Sequence, residues 1–259
     1  MLSFDSVTLA FGGVRAIDDL SFQVEDGSIT ALIGPNGAGK TTVLNVVNRF
    51  YRPQSGQVRY GEVDLLSLRA DQVIARGISR SFQNVALFGG MTVLDNLMVG
   101  ADHQSKTGVL RNMVRTPGMR SFERQTRQRA REVLEFLGIA DIADRRADEL
   151  GFGERKLADL GRALVPRPQL LLLDEPAAGL VEGQKSWLAE IIRRIPGEIG
   201  ATVLVIEHDM RLVLGVSTRV VVMDFGRKIA DGAPEQIRND PAVIAAYLGT
   251  GAPDAAADI

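Results

Sequence analysis

Hydrophobic positions recur along this chain with two spacings, one typical of strands and one typical of helices. In the first sixty residues, short apolar runs alternate with glycine turns and predict strands at "FDSVTLAF", "LSFQVEDG", "ITALIG" and "SGQVRY". "ITALI" and the later segments "QLLLLD" and "ATVLVIE" carry apolar runs typical of strands buried on both faces of a sheet.

A helical spacing separates "QLLLLD" from "ATVLVIE". Its apolar positions are Trp187, Leu188, Ile191, Ile192 and Ile195. Glu182 near the start and two arginines near the end complement the helix dipole. The order strand, helix, strand predicts a mainly parallel sheet in an α/β domain.

The middle of the chain has a different character. We interpret residues 84–165 as an α-helical subdomain inserted into an α/β core made of 1–83 and 166–259. Within it, Pro117-Gly118 marks a break, and a charged helix over 121–137 is capped by Gly138. Two short helices follow near the C-terminus, and the alanine-rich end is expected to fray.

Composition narrows the class of protein. The 259 residues are 45% hydrophobic, which allows a substantial core, and the formal net charge of -2 argues against a nucleic-acid partner. Without cysteine there are no disulfides, and the cytoplasm is the favoured compartment. We find no signal-peptide pattern and no apolar run near the ~20 residues that cross a bilayer as a helix.

A phosphate-binding motif follows the buried strand "ITALI". The sequence "GPNGAGKTT" fits G-x-x-x-x-G-K-[ST] and precedes a helical pattern, which is the context that the motif requires. Its backbone N–H groups are expected to hold phosphates, Lys40 to bridge the β- and γ-phosphates, and the Thr41 hydroxyl to coordinate Mg²⁺. The predicted nucleotide contacts are Gly34, Pro35, Asn36, Gly37, Ala38, Gly39, Lys40, Thr41 and Thr42.

Carboxylates end two other apolar strands. Asp174 and Glu175 close "LLLLDEP", where Asp174 is expected to hold the same Mg²⁺ and Glu175 to take a proton from the attacking water. Glu207, His208 and Asp209 follow "VLVI" at the same sheet edge. We assign His208 a phosphate-sensing role.

The order of these motifs resembles that of ATP-binding cassette ATPases over almost the whole chain: "GPNGAGKTT", "SFQN", "LGFGERK", "LLLLDEP" and "EHD". The resemblance implies a P-loop NTPase with a RecA-like, mainly parallel core sheet, an N-terminal antiparallel β subdomain and the inserted helical subdomain. It implies ATP and Mg²⁺ as cofactors, with Gln83 sensing Mg²⁺ and the attacking water. It makes Phe11 the candidate for stacking on adenine. The alternative for Phe11 is ordinary core packing, and the alternative for Gln83 is a surface amide.

The resemblance also implies that each nucleotide lies between two chains. The signature segment, Gly151, Phe152, Gly153 and Glu154, then covers the γ-phosphate held by the partner's phosphate loop. This chain departs from the usual signature: Gly151 replaces a serine, Phe152 a glycine, and Glu154 often a glutamine. Val181 stands where a polar residue is common. We therefore expect an asymmetric pair, in which the site on the partner's loop is the impaired one.

Four segments resemble one branch of the family, the ATPase subunits of importers of branched-chain or hydrophobic amino acids: "FGGVRAIDD", the insert after "MTVLDNLMVG", "DEPAAGL", and the stretch from "EHDM" to "AAYLG". The branch implies a second ATPase subunit, two membrane-spanning subunits, an extracytoplasmic solute-binding protein, and a location at the cytoplasmic face of the membrane. Residues 101–131 carry eight basic and two acidic residues. They are expected to contact a membrane subunit or anionic headgroups, or to form a solvated helix face.

Other functions stay open at this point. An ATPase of a lipid or lipopolysaccharide exporter also tolerates a Glu-Arg signature, and a urea or amide importer would need the same phosphate chemistry. A ribosome- or DNA-acting cassette protein would more often carry two ATPase units, which 259 residues cannot hold. A nucleotide-binding regulatory subunit with low turnover is kept open by Gly151 and opposed by Glu175 and His208.

Overall fold

The computed structural model describes residues 1–81, 85–101 and 117–248. The N-terminal part is an antiparallel sheet in the order β2-β1-β4-β5. Its strands are β1 (Leu2–Phe11), β2 (Val14–Val24), β4 (Ser55–Tyr60) and β5 (Val63–Asp64). Strands β1, β2 and β4 coincide with predicted runs, although β2 begins six residues earlier than its run because it pairs with β1 up to the hairpin, where Val14 faces Phe11.

A second sheet forms the centre of the molecule, in the order β10-β9-β3-β8-β7-β6. Neighbouring strands from β9 to β6 run parallel, and β10 pairs antiparallel with β9. The strands are β3 (Ile29–Ile33), β6 (Ile78–Ser81), β7 (Leu170–Asp174), β8 (Thr202–Ile206), β9 (Arg219–Asp224) and β10 (Arg227–Gly232). The predicted fold class, a mainly parallel α/β core with an antiparallel N-terminal sheet, is confirmed.

Both faces of the parallel sheet are covered. Ala31 and Ile33 face the helices on one side, whereas Leu32 between them packs with the antiparallel sheet and the helix α1 (Lys40–Val47) on the other. Because successive strand side chains point to opposite faces, a strand covered on both faces needs an unbroken apolar run. This explains why every residue of β3, β7 and β8 is buried.

The described residues between β6 and β7 include three helices. These are α3 (Val93–Val99), α4 (Pro117–Phe136) and α5 (Phe152–Leu164), with single 3-10 turns at Ala140–Ile142 and Ala147–Glu149. The described part of helix α4 starts at Pro117, four residues before the predicted start, so the break predicted at Pro117-Gly118 is wrong: the chain is helical at both residues. Gly138 follows it with φ +68, as its predicted capping role requires.

The remaining helices are α2 (Ala70–Ile74), α6 (Glu182–Arg194), α7 (Met210–Val216), α8 (Pro234–Arg238) and α9 (Pro241–Leu248). Helix α6 continues into a π turn at Ile195–Ile199. Four of its five predicted apolar positions are buried, and Trp187 keeps 41% of its surface exposed beside Gly138. In the described part of the chain, no helix is long and apolar enough to cross a membrane.

Candidate nucleotide site

The loop between β3 and α1 is built around close backbone approaches. Gly34 and Gly39 have φ values of +149° and +101°. A Cβ at Gly34 would overlap the Met223 carbonyl oxygen, and one at Gly39 the Ala16 carbonyl oxygen. Glycine is therefore required at both positions, for its left-handed conformation and for space.

Lys40 lies inside this loop rather than in solvent. Its side chain is 6% exposed, and Nζ donates to the carbonyl oxygens of Gly34 at 2.6 Å and Pro35 at 2.9 Å. Burial lowers its pKa, and the nearby charges of Glu175, Asp174 and Glu207 act against that shift. The ammonium group is thus held at the loop, within reach of the carboxylates at the ends of β7 and β8.

Asp174 ends β7 as a buried carboxylate, 2% exposed. Its Oδ2 accepts a hydrogen bond from Arg80 Nη2 on β6 at 2.6 Å, and Arg80 Nη1 donates to Asn45 on α1 at 2.8 Å. The other oxygen, Oδ1, is buried and accepts no hydrogen bond from the described residues. A buried oxygen without a donor fits a hard cation such as Mg²⁺.

The end of β8 lies beside the end of β7, with Asp174 opposite Ile206. Glu207 is completely buried, and His208 next to it has a side chain that is 56% exposed. His208 Nδ1 lies 3.7 Å from Glu207 Oε2. Asp209 caps α7 by accepting the Leu212 N–H at 3.2 Å and binds Lys185 Nζ at 2.6 Å.

The signature segment opens α5 at the surface. Gly151 and Phe152 are exposed, whereas Gly153 is buried, and a Cβ there would lie 2.6 Å from Gln184 Nε2. The Gly151 N–H donates to Glu154 Oε2 at 2.7 Å, and Arg145 binds the other Glu154 oxygen at 3.0 Å. The N-terminus of this helix is therefore already capped by a carboxylate of its own first turn.

Three further positions were predicted to lie at the nucleotide or at the dimer contact: Phe11, Val181 and Gln83. Phe11 is 47% exposed at the end of β1 and makes an edge-on contact with Tyr51 at a centroid distance of 4.9 Å, so the core-packing alternative is wrong. Val181, 67% exposed, precedes α6. Gln83 lies outside the described residues, as do residues 102–116 of the basic insert.

Sequence reasoning gave no role to Arg80 or Lys156. Arg80 is a buried arginine in β6, three residues before Gln83, and Lys156 lies one helical turn after Phe152. The available signals were an arginine just before the "SFQN" segment and a lysine on the same helix face as Phe152.

Comparisons with known proteins agree with this architecture. The family model described as ABC transporter matches residues 17–178, and that described as branched-chain amino acid ATP-binding cassette transporter matches residues 227–253. The chain belongs to the ABC transporter family. It is an ATP-binding subunit, and the predicted ATPase class is confirmed.

Two curated relatives are similar over almost the full length. The high-affinity branched-chain amino acid transport ATP-binding protein LivG of Salmonella typhimurium is 41% identical, over 96% of this chain and 98% of its own. BraF of Pseudomonas aeruginosa is 39% identical over the same shares. The crystal structure of the ADP conformation of MJ1267, an ATP-binding cassette of an ABC transporter, matches with a TM-score of 0.83 and 32% identity, covering 96% of this chain and 98% of that one.

Proposed function

We propose that this chain is the ATP-hydrolysing subunit of an importer of branched-chain amino acids, bound at the cytoplasmic face of the membrane through separate membrane subunits. The carrying observation is the near full-length similarity to LivG, at 41% identity. The match of residues 227–253 to the branched-chain family model supports the same solute class. These two observations favour this solute class over export of lipid and import of urea or amides.

Hydrolysis would be carried out by side chains that the fold brings to one sheet edge. Lys40 holds the β- and γ-phosphates, and Glu175 takes the proton of the attacking water. His208, exposed at the same edge, contacts the γ-phosphate. Asp174 Oδ1 would hold Mg²⁺, with Thr41 and Gln83 as the further ligands that the family resemblance implies, and the ion would supply charge neutralisation.

The nucleotide site would be completed by a second ATPase subunit. The exposed signature segment, Gly151 to Glu154, then covers the γ-phosphate on the partner's loop. Gly151 offers no hydroxyl, and its N–H is engaged by Glu154. Both features weaken the partner's site, which agrees with an asymmetric pair of two different chains.

A surface groove would receive the membrane subunit. It lies between α2, the start of β6, α3 and α5, has a volume of about 550 Å³, and exposes Phe50, Ile74 and Phe88. Apolar side chains gathered around a groove mark an interaction site, and a transporter ATPase must transmit its closure to a membrane partner. We therefore assign the groove to an apolar cytoplasmic segment of that subunit, with the extracytoplasmic binding protein acting on the far side.

The test is hydrolysis by the complex reconstituted with its membrane subunits and binding protein. We expect leucine-loaded binding protein to stimulate ATP hydrolysis. Glu175→Gln is expected to lower it by about 10²–10⁴-fold with ATP binding retained. Glu190→Gln, an exposed carboxylate on α6 paired with Arg193, is the matched control. Full activity of Glu175→Gln would overturn the assignment of the base.

The low-turnover regulatory subunit is the second candidate. It is favoured by the self-capped signature segment, because a carboxylate already lies where a phosphate would bind. This candidate is selected if hydrolysis by the complete complex stays near background both with and without the solute-loaded binding protein.

A further inference from the structure

Glu175 has an unusual backbone. Its φ is +48, in the left-handed region that residues other than glycine seldom adopt. Such a conformation costs about 1–3 kcal/mol and persists only where surrounding contacts impose it. The turn formed by residues 175–177 must therefore be held by its neighbours.

One side of this turn is held by Lys156 from α5. Its Nζ donates to the carbonyl oxygens of Glu175 at 3.0 Å and Pro176 at 3.1 Å. The side chain also passes over the Phe152 ring, with Nζ 5.7 Å from the centroid. Lys156 thus joins the helix that begins with the signature segment to the backbone beside Glu175.

The other side is held from β8. The Glu175 N–H donates to the Ile206 carbonyl oxygen at 2.9 Å. Glu207 Oε1 accepts the Ala177 N–H at 2.8 Å, and Oε2 accepts the His208 N–H at 3.0 Å. Glu207 is fully buried, and its two oxygens make separate contacts: Oε1 with the 175–177 turn, and Oε2 with the N–H groups of His208 and Asp209.

We propose that Lys156 and Glu207 are positioning residues that hold Glu175 in its left-handed conformation, from the signature helix and from the histidine loop respectively. The inference rests on the proposed role of Glu175 as the base. Neither side chain needs to contact ATP. Through Lys156, a movement of the signature segment on the partner's nucleotide shifts the base of this chain's own site.

Hydrogen exchange of the whole chain tests the contacts without any reference to hydrolysis. Lys156→Met keeps the length of the side chain and removes its donors. Glu207→Gln must turn an NH₂ group either toward the Ala177 N–H or toward the N–H groups of His208 and Asp209. We expect exchange in a peptide spanning 170–180 to accelerate about tenfold, the effect of losing a charge-assisted hydrogen bond. Lys228→Met and Asp231→Asn, from an ion pair on β10, are the matched controls.

Kinetics of the assembled complex separate positioning from folding. We expect each variant to lower kcat about tenfold with the KM for ATP within about twofold, because the base is displaced and the phosphate loop is not. Lys156→Arg is expected to recover most of the loss. The double variant should lose less than the product of the single losses, since both residues hold one turn.

Unchanged exchange over 170–180 in both variants overturns the inference. So does a rise in KM together with unchanged kcat. If Glu175→Gln remains active, the proposed base is wrong, and the exchange data still decide whether the two residues hold the turn.

Discussion

The phosphate loop and the signature segment are both glycine-rich turns that open a helix, yet they are built differently. In the loop, Gly34 and Gly39 are fixed by contact with the protein's own backbone, and a buried lysine supplies a cation. In the signature segment, Gly151 is exposed and Glu154 places an anion at the helix N-terminus. The first is complete within one chain, and we propose that the second contacts a phosphate held by a partner chain.

The largest expected effect comes from removing the loop cation. Lys40→Ala should reduce hydrolysis by this chain's site by about 10³-fold or more, because a phosphate-bound ammonium is lost where the transition-state charge develops. Phosphate release by the complex measures it. Lys228→Ala, on β10, is the control, and hydrolysis near the wild-type rate would contradict the role of the loop.

The second-largest effect is expected from replacing a glycine of the phosphate loop, compared with a glycine of the signature segment. Gly39→Ala should destabilise the fold by about 3 kcal/mol, because its Cβ would overlap the Ala16 carbonyl oxygen at a positive φ. Gly151→Ala meets only Glu154 Oε2 at 3.5 Å and should stay within about 0.5 kcal/mol. Urea denaturation compares the two free energies of unfolding. Equal losses would show that the two turns do not differ in how they are packed.

The sequence could predict the phosphate loop because it is a local structure. Strand, glycines, lysine and helix follow one another in "ITALIGPNGAGKTT", and apolar runs identified β7 and β8 as buried strands. The sequence also predicted that the polar residues after β7 and β8 lie at one sheet edge, which agrees with Asp174 lying opposite Ile206, but it did not predict the order of the strands.

The contacts around Glu175 could not be predicted. They join residues distant in sequence, Lys156 with Pro176 and Glu207 with Ala177, and depend on a backbone conformation that no local pattern marks. The capping of Gly151 by Glu154 is local, but a comparison with family signatures presents Glu154 as a change of a nucleotide contact, not as a cap.

A third expectation sharpens the comparison by restoring the hydroxyl. Gly151→Ser should raise hydrolysis at the partner's site by about ten- to a hundredfold, since a hydroxyl bonding a phosphate contributes roughly 1.5–3 kcal/mol. It is measured in a complex whose own site is silenced by Glu175→Gln. Gly151→Ala serves as the control, and a decrease with serine would contradict a phosphate contact at this position.

The smallest effect is expected from the capping carboxylate. Glu154→Gln keeps an oxygen for the Gly151 N–H and removes one negative charge, so the KM for ATP at the partner's site should fall a few-fold. The lost ion pair with Arg145 is half-exposed and should cost at most about 1 kcal/mol of stability. ATP titration and thermal unfolding separate the two effects, and a raised KM would argue against repulsion.

The central claim is that the signature segment serves the partner's nucleotide. The chain has no cysteine, so Phe152→Cys combined with Glu175→Gln gives this chain a single thiol, whose alkylation rate can be followed in the assembled complex, with Phe225→Cys as the exposed control. We expect ATP to protect position 152, and this protection to survive Lys40→Ala at saturating ATP but to vanish when the phosphate-loop lysine of the partner subunit is replaced. Protection that is lost in Lys40→Ala but kept when the partner's phosphate-loop lysine is replaced would contradict the account.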